Sequence, residues 1–450
     1  MRRHHEFASH FARTPSALTR GATPAKPRAD PRDGDDLVRL RGDAARAAPR
    51  VPRGCQIGGR RRILRHFFQW RPDLAASRPS PRRPLDASVR GRRGRRVAHL
   101  RRRPEEAQGG VLGTPDVAAS ALDALLDAAD EPDCAWEVHA VVSQPGRPRG
   151  RGRSKSGPPP PSPVAECALR RGVPEERVLC PVKANEPAFL EALERLEPDL
   201  AVTAAYGNFL PSAFLAIPRL GTLNIHPSLL PQFRGAAPVQ RALERGVPVT
   251  GVTVAYTVLE MDAGPVVRRV ERPLDGSEKH VDLLRELFAT GAAALLEALP
   301  SVWTGEAATL ATPQAEFGEP THAPKVSPEE GVLDFKNETA TTLRDKVRGF
   351  DGWPGTKGAF LVKKEDAAED AWQEVTLKII TANVFEDASE TTAAGGDYSG
   401  AVTLTKKTMR VPCANGTWLE VTEVQPPGKK AMDAASYANG LKGSVLKVLH

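Results

Sequence analysis

Residues 223–246 read LNIHPSLLPQFRGAAPVQRALERG. The stretch opens as an apolar strand and stops at Pro227. It turns through the Pro-bounded Ser228-Leu229-Leu230-Pro231, then enters a helix-like tract after Phe233-Arg234-Gly235. Strand, loop and helix in that order are the repeating unit of an α/β sheet. The same alternation continues on both sides. Val138–Ser143, Leu200–Ala205, Thr222–Ile225 and Gly251–Val258 read as buried strands; Pro115–Ala129, Pro187–Leu196 and Val281–Leu299 read as helices. The expectation is an α/β fold with a mostly parallel sheet covered on both faces. Ligands of such sheets gather beyond the carboxyl ends of the strands. The Gly113-Thr114-Pro115 turn and the Asn224–Pro231 segment are both expected there.

Outward from this block the texture changes twice. Residues 301–330 are Thr, Pro, Glu and Ala without period and read as a linker. Beyond them come a short helix, Thr339–Phe350, and five β segments: Phe360–Val362, Glu374–Ala382, Ala401–Thr405, Met409–Pro412 and Trp418–Val424. Short strands parted by Gly, Asn and Asp predict a small OB-like β-barrel.

On the amino-terminal side, residues 1–103 hold 27 Arg and one Lys against eight Asp or Glu, a net +20 within a chain of +8. The remainder therefore carries −12, so the basic balance belongs to the leader alone. An Arg-rich, acid-poor leader over 1–105 predicts an organelle address, mitochondrial or alternatively plastid. No run of eighteen apolar residues predicts a membrane span, and a monomer is expected. The five cysteines are scattered, so neither a disulfide framework nor a metal site is indicated. In the run RRRPEEAQGGVL, residues 101–112, only Val111 and Leu112 are large and apolar, which predicts a truncated first strand and a sheet edge short of buried area.

Asn224 and His226 stand two apart on a strand, so both side chains share a face. An Asn amide can donate to a developing oxyanion, and a His can donate or exchange a proton near neutral pH. Asp262, just after the strand Gly251–Val258, can orient a histidine or take a proton through water. Each also has an ordinary structural use: an Asn capping a turn, a His bonded to backbone, an Asp before a Gly in a turn. No serine or cysteine occupies a strained elbow motif, so the set points to direct acyl transfer onto an amine. Ser228, Leu229, Leu230 and Pro231 are candidates to present backbone groups and two leucines to a flat heteroaromatic ring. Residues 146–155 read GRPRGRGRSK, with Arg147, Arg149, Arg151, Arg153 and Lys155 at every second position. In an acidic body this loop is the polyanion signal: either RNA phosphate contacts or a solvated loop.

These residues resemble the methionyl-tRNA formyltransferase family from Val111 almost to the carboxyl end. The likeness runs in order through VLGTPDVAASALDALL, QPGRPRGRG, SPVAECA, AAYGNFLP, LNIHPSLLPQFRGAAPVQRALERG, TGVTVAYTVLEMDAGPVV, THAPKVSPEEGVLDF and QPPGKKAM. The resemblance implies a Rossmann-like catalytic domain over 106–300 and an OB-like tRNA-binding domain over 331–450. It implies Asn224, His226 and Asp262 as the catalytic set and Ser228 to Pro231 as folate contacts. It also implies a tRNA contact at Arg151 in the basic loop. The implied co-substrate is 10-formyltetrahydrofolate, the implied partner initiator methionyl-tRNA, and the setting organellar translation initiation. Two other readings remain: a formyl-folate enzyme acting on another substrate, and an RNA-binding protein on an inactive scaffold.

Overall fold

The computed structural model describes residues 107–148, 159–385 and 400–449. The expected leader lies outside them. The described residues all fall within one compact unit that contains two sheets.

The first sheet is built from β1 (Ala107–Gly113), β2 (Trp136–Val142), β3 (Val178–Leu179), β4 (Leu200–Ala204), β5 (Thr222–His226), β6 (Val249–Tyr256) and β7 (Val266–Pro273). Their spatial order is β3-β2-β1-β4-β5-β6-β7. The first five pair in parallel, while β6 and β7 are antiparallel. The crossovers are α1 (Asp116–Ala129), α2 (Pro163–Arg170), α3 (Pro187–Leu196), α4 (Ser212–Leu215) and α5 (Pro238–Glu244), and β7 leads into α6 (His280–Trp303). Local chemistry sets their starts: Ser162 accepts the N–H of Ala165 at the cap of α2, with Pro163 at its first turn. Helices α1, α2 and α6 bury one sheet face with Val111, Val202, Leu223 and Ile225, and α3 and α4 bury the other with Leu112, Val142 and Ala201. Gly291 lets α6 approach closely, since a Cβ there would meet Ile225 Cγ2 at 2.4 Å.

The first strand corrects the expectation of a truncated edge. β1 lies in the middle of the sheet and pairs on both sides, with β2 and β4. Strand pairing needs only backbone, so Gly109 and Gly110 serve. The side-chain volume they lack is made up from neighbours: Trp303 approaches the Cβ direction of Gly109, and Pro198 that of Gly110.

The expected linker carries structure of its own. Residues 301–330 contain the end of α6, a short α7 (Glu306–Leu310), and a stretch laid along the first sheet. Thr312 forms a two-way backbone bridge with Val266, and residues 321–323 pair with Pro231 and Arg234. Isolated bridges impose no side-chain period, which is why composition suggested a tether.

The second sheet holds β8 (Thr356–Lys364), β9 (Gln373–Val384), β10 (Thr403–Leu404), β11 (Met409–Pro412), β12 (Trp418–Gln425), β13 (Met432–Asp433) and β14 (Ser444–Val448). α8 (Ala340–Gly349) precedes it and α9 (Ala434–Gly440) lies before β14. The pairs are antiparallel, and a bridge from Ala401 to Lys447 brings the last strand back toward the start of β10. The result is a nearly closed, small OB-like barrel around Phe360, Leu377, Val421 and Leu446. The five expected β segments coincide with β8 to β12; β13 and β14 are additional.

Candidate active site

The chain passes from β1 to β2 on one side of β1, while β4 lies on the other. A crevice therefore opens beyond the carboxyl ends of β1 and β4. Gly113 ends β1 where a Cβ would meet Ala118 Cβ at 2.6 Å and Ala204 O at 2.9 Å. The Tyr206 carbonyl accepts from Thr114 Oγ1 (3.0 Å) and from Gln144 Nε2 (3.1 Å), tying the three strand ends together. Burial raises the Tyr206 phenol above its usual value, so it stays neutral. Gln144 Oε1 accepts from Arg147 Nη2 at 2.9 Å, which fixes the first arginine of the basic loop to this wall. Arg149, Arg151, Arg153 and Lys155 lie outside the described residues.

On β5, Leu223 and Ile225 point into the core, so Asn224 and His226 occupy the opposite face. Asn224 pairs in register with Thr203, whose hydroxyl donates to Asn224 Oδ1 over 2.8 Å. The amide is thereby oriented, and its Nδ2 donor has no hydrogen-bond partner among the described residues. His226 is 4% exposed. Its Nε2 lies 3.0 Å from the Phe233 carbonyl and its Nδ1 3.8 Å from Asp262 Oδ1. A carbonyl can only accept, so Nε2 carries a proton; protonation of Nδ1 then points a second donor toward Asp262.

Asp262 reaches this place by a detour. Because β6 is antiparallel, Tyr256 stands opposite Leu223, at the amino end of β5. The following loop must fold back over the sheet face to bring Asp262 to His226. Asp262 has φ +52°, a left-handed conformation that Asp tolerates. Its Oδ2 accepts the Gly235 N–H at 2.8 Å. Asn224, His226 and Asp262 thus meet on one face. They form an amide donor, a doubly engaged imidazole and a carboxylate, the parts suited to stabilising an oxyanion and relaying a proton.

Residues 115–299 match the Formyl transferase family, and residues 325–442 match the Formyl transferase C-terminal domain. A methionyl-tRNA formyltransferase of Bacillus licheniformis is 36% identical over 330 residues, covering 73% of this chain and 93% of the relative. One of Roseiflexus castenholzii is 37% identical over 332 residues, covering 74% of this chain and 95% of the relative. The chain belongs to the methionyl-tRNA formyltransferase family. Among solved structures, glycinamide ribonucleotide transformylase 1 from Symbiobacterium toebii is 30% identical, with a TM-score of 0.36 over 43% of this chain and 85% of that one.

In this methionyl-tRNA formyltransferase family member the Ser228–Pro231 turn lies directly after His226 and is tied down by its own hydrogen bonds. Ser228, Leu229, Leu230 and Pro231 are all buried. Ser228 Oγ donates to the Gln232 carbonyl at 2.6 Å, and Leu230 N–H donates to Thr253 Oγ1 at 3.0 Å. Thr253 in turn donates to the Ser228 carbonyl at 2.7 Å. These three polar groups bond within the loop and to Thr253, and both leucines are buried. Gly251 makes room for this, since a Cβ there would lie 2.5 Å from Leu229 Cδ2. In the described conformation the turn shapes the site and holds Phe233 beneath His226.

Thr203, Thr253 and Gln314 are site residues that the residue pattern did not single out. Thr203 and Thr253 lie within strands read as apolar, and only strand register shows that they face Asn224 and the turn. Gln314 sits in the segment that looked like a tether, where no local pattern marks it.

Proposed function

We propose that the protein transfers the formyl group of 10-formyltetrahydrofolate to the α-amino group of methionyl-tRNA, with Asn224, His226 and Asp262 as the catalytic set. The observation that carries the assignment is the Asn224 amide: its acceptor end is fixed by Thr203 and its donor end is left for a ligand, beside the His226–Asp262 pair. The match to methionyl-tRNA formyltransferases over more than nine-tenths of their length supplies the substrates.

The amine is neutral in useful amount near pH 7, since a free α-amino group has a pKa of about 7.7–8.0. Its nitrogen attacks the formyl carbon and a C–N bond forms. The carbonyl pair moves onto oxygen, where the Asn224 Nδ2–H donates. His226, held between the Phe233 carbonyl and Asp262, keeps the carboxylate beside the reacting group. As the tetrahedral species collapses, the bond to the folate nitrogen breaks. The amine proton leaves toward Asp262 through water, and the same relay returns one proton to the departing folate nitrogen. The turn of Ser228, Leu229, Leu230 and Pro231 contacts the folate ring along the cleft.

For the RNA, the basic loop from Arg147 to Lys155 contacts phosphates of the acceptor arm, with Arg151 the principal contact. Losing one phosphate contact should flatten the salt dependence of tRNA binding by about 0.7–0.9 in log–log slope. Steady-state assays with 10-formyltetrahydrofolate and charged initiator tRNA test the whole assignment; no formylated product sinks it. An Arg151→Ala variant with unchanged salt slope removes the loop from the interface.

The acid-poor leader supports delivery to an organelle that initiates with formylmethionine, the mitochondrion first and the plastid second. Full-length protein carrying a carboxyl-terminal tag should be found in that organelle; retention in the cytosol overturns this assignment.

A further inference from the structure

Gln314 is 4% exposed and lies in the segment between the two domains, yet its amide sits under the site. Nε2 donates to the carbonyls of Asp262 (2.7 Å) and Gly264 (2.8 Å). Oε1 accepts from Arg234 Nε (3.0 Å) and Nη2 (2.7 Å). An amide has two N–H donors and two lone pairs, so all its capacity is used. Turned over, it would set an NH₂ group against a guanidinium, so the orientation is fixed.

The amide joins the two turns that make the site. One holds Phe233 (φ +59°), whose carbonyl engages His226, and Gly235 (φ +122°), whose N–H engages Asp262. The other holds Asp262 itself. Arg234 forms its ion pair with exposed Glu260 and reaches Asp262 only through the neutral amide. A direct Arg234–Asp262 pair would occupy the carboxylate; the glutamine fastens both turns and leaves it facing His226.

We propose that Gln314 is a positioning residue for formyl transfer, setting Asp262 against His226 from the interdomain segment. The inference rests on the activity proposed above, and its tests are chosen to fail separately from it. In the full chain, Gln314→Leu should lower kcat by about 10–100-fold, as expected for a displaced catalytic group. KM for folate and tRNA should change little. In an Asp262→Asn background the same substitution should cost little more, because the two act through one path. Gln314→Glu keeps the acceptor for Arg234 and loses the donors, so it should repeat the kcat loss even where Gln314→Leu folds poorly. Independently of activity, amide exchange at Gly235 N–H should accelerate in both variants. Near-normal kcat, a rise in KM alone, multiplicative losses in the double variant, or unchanged Gly235 exchange would each overturn the role. Wild-type protein that fails to formylate methionyl-tRNA refutes the proposed activity, while the exchange measurement still decides on Gln314.

Discussion

Thr203 Oγ1 donates to Asn224 Oδ1 over 2.8 Å, and this one hydrogen bond decides which end of the Asn224 amide faces the cleft. The same hydroxyl also lies 3.2 Å from the Leu223 carbonyl, and its shorter contact to Oδ1 leaves the Asn224 NH₂ outward. Asn224→Ala should reduce kcat by about 10²–10³-fold, the usual cost of losing an oxyanion donor. Thr203→Val should lower kcat less and leave KM nearly unchanged, and Thr203→Ser should restore it. Steady-state kinetics on the three variants checks the order; a Thr203→Val enzyme with wild-type kcat would show that the amide needs no such guide.

The central strand offers a contrast between two glycines. Around Gly110 a Cβ would meet only ordinary contacts, the nearest at 3.6 Å. Gly110→Ala should therefore stabilise the protein by about 0.5–1 kcal/mol, through reduced freedom of the unfolded chain. Gly113→Ala meets Ala118 Cβ and the Ala204 backbone at 2.6 and 2.9 Å, and should destabilise by about 1–3 kcal/mol. Urea unfolding of both variants decides whether the signs are opposite.

At the junction of the domains, Arg241 hydrogen-bonds Glu330 and holds its carboxyl below the usual carboxylate range. The folded-state pKa is thus lower than the unfolded one. The stabilisation is complete above the unfolded value of about 4.3 and is lost as pH falls through the folded value. Glu330→Gln should accordingly be less stable than wild type at pH 6, with a smaller gap at pH 3. Urea midpoints at the two pH values provide the measurement; a constant gap would mean that Glu330 contributes nothing through its charge.

Much of the scaffold was legible because apolar periodicity is local. Pro187–Leu196 and Met409–Pro412 have the same bounds in the sequence reading and in the structure. Strand β7 was missed because its VVRRVERP pairs two valines and then two arginines, so it lacks a clean alternation, and only Val266 is buried. The proposed catalytic trio was legible as residue types, and the family resemblance joined them. How Asp262 arrives was not, since the antiparallel turn of β6 depends on pairing rather than composition. The burial of Leu229 and Leu230 was also beyond reach: apolar residues in a turn look alike whether they line a cleft or anchor a loop.

The bridge between Thr312 and Val266 and the pairing of residues 321–323 with Arg234 have a consequence for protein engineering. The Formyl transferase family match ends at residue 299, which invites a cut or a splice there. Such a fragment would keep Asn224, His226 and Asp262 and lose the partners of both turns that hold them. A chimera that exchanges the barrel should instead be joined beyond Pro324. Spliced at that point, the donor scaffold keeps its own inner girdle, and only the barrel changes hands.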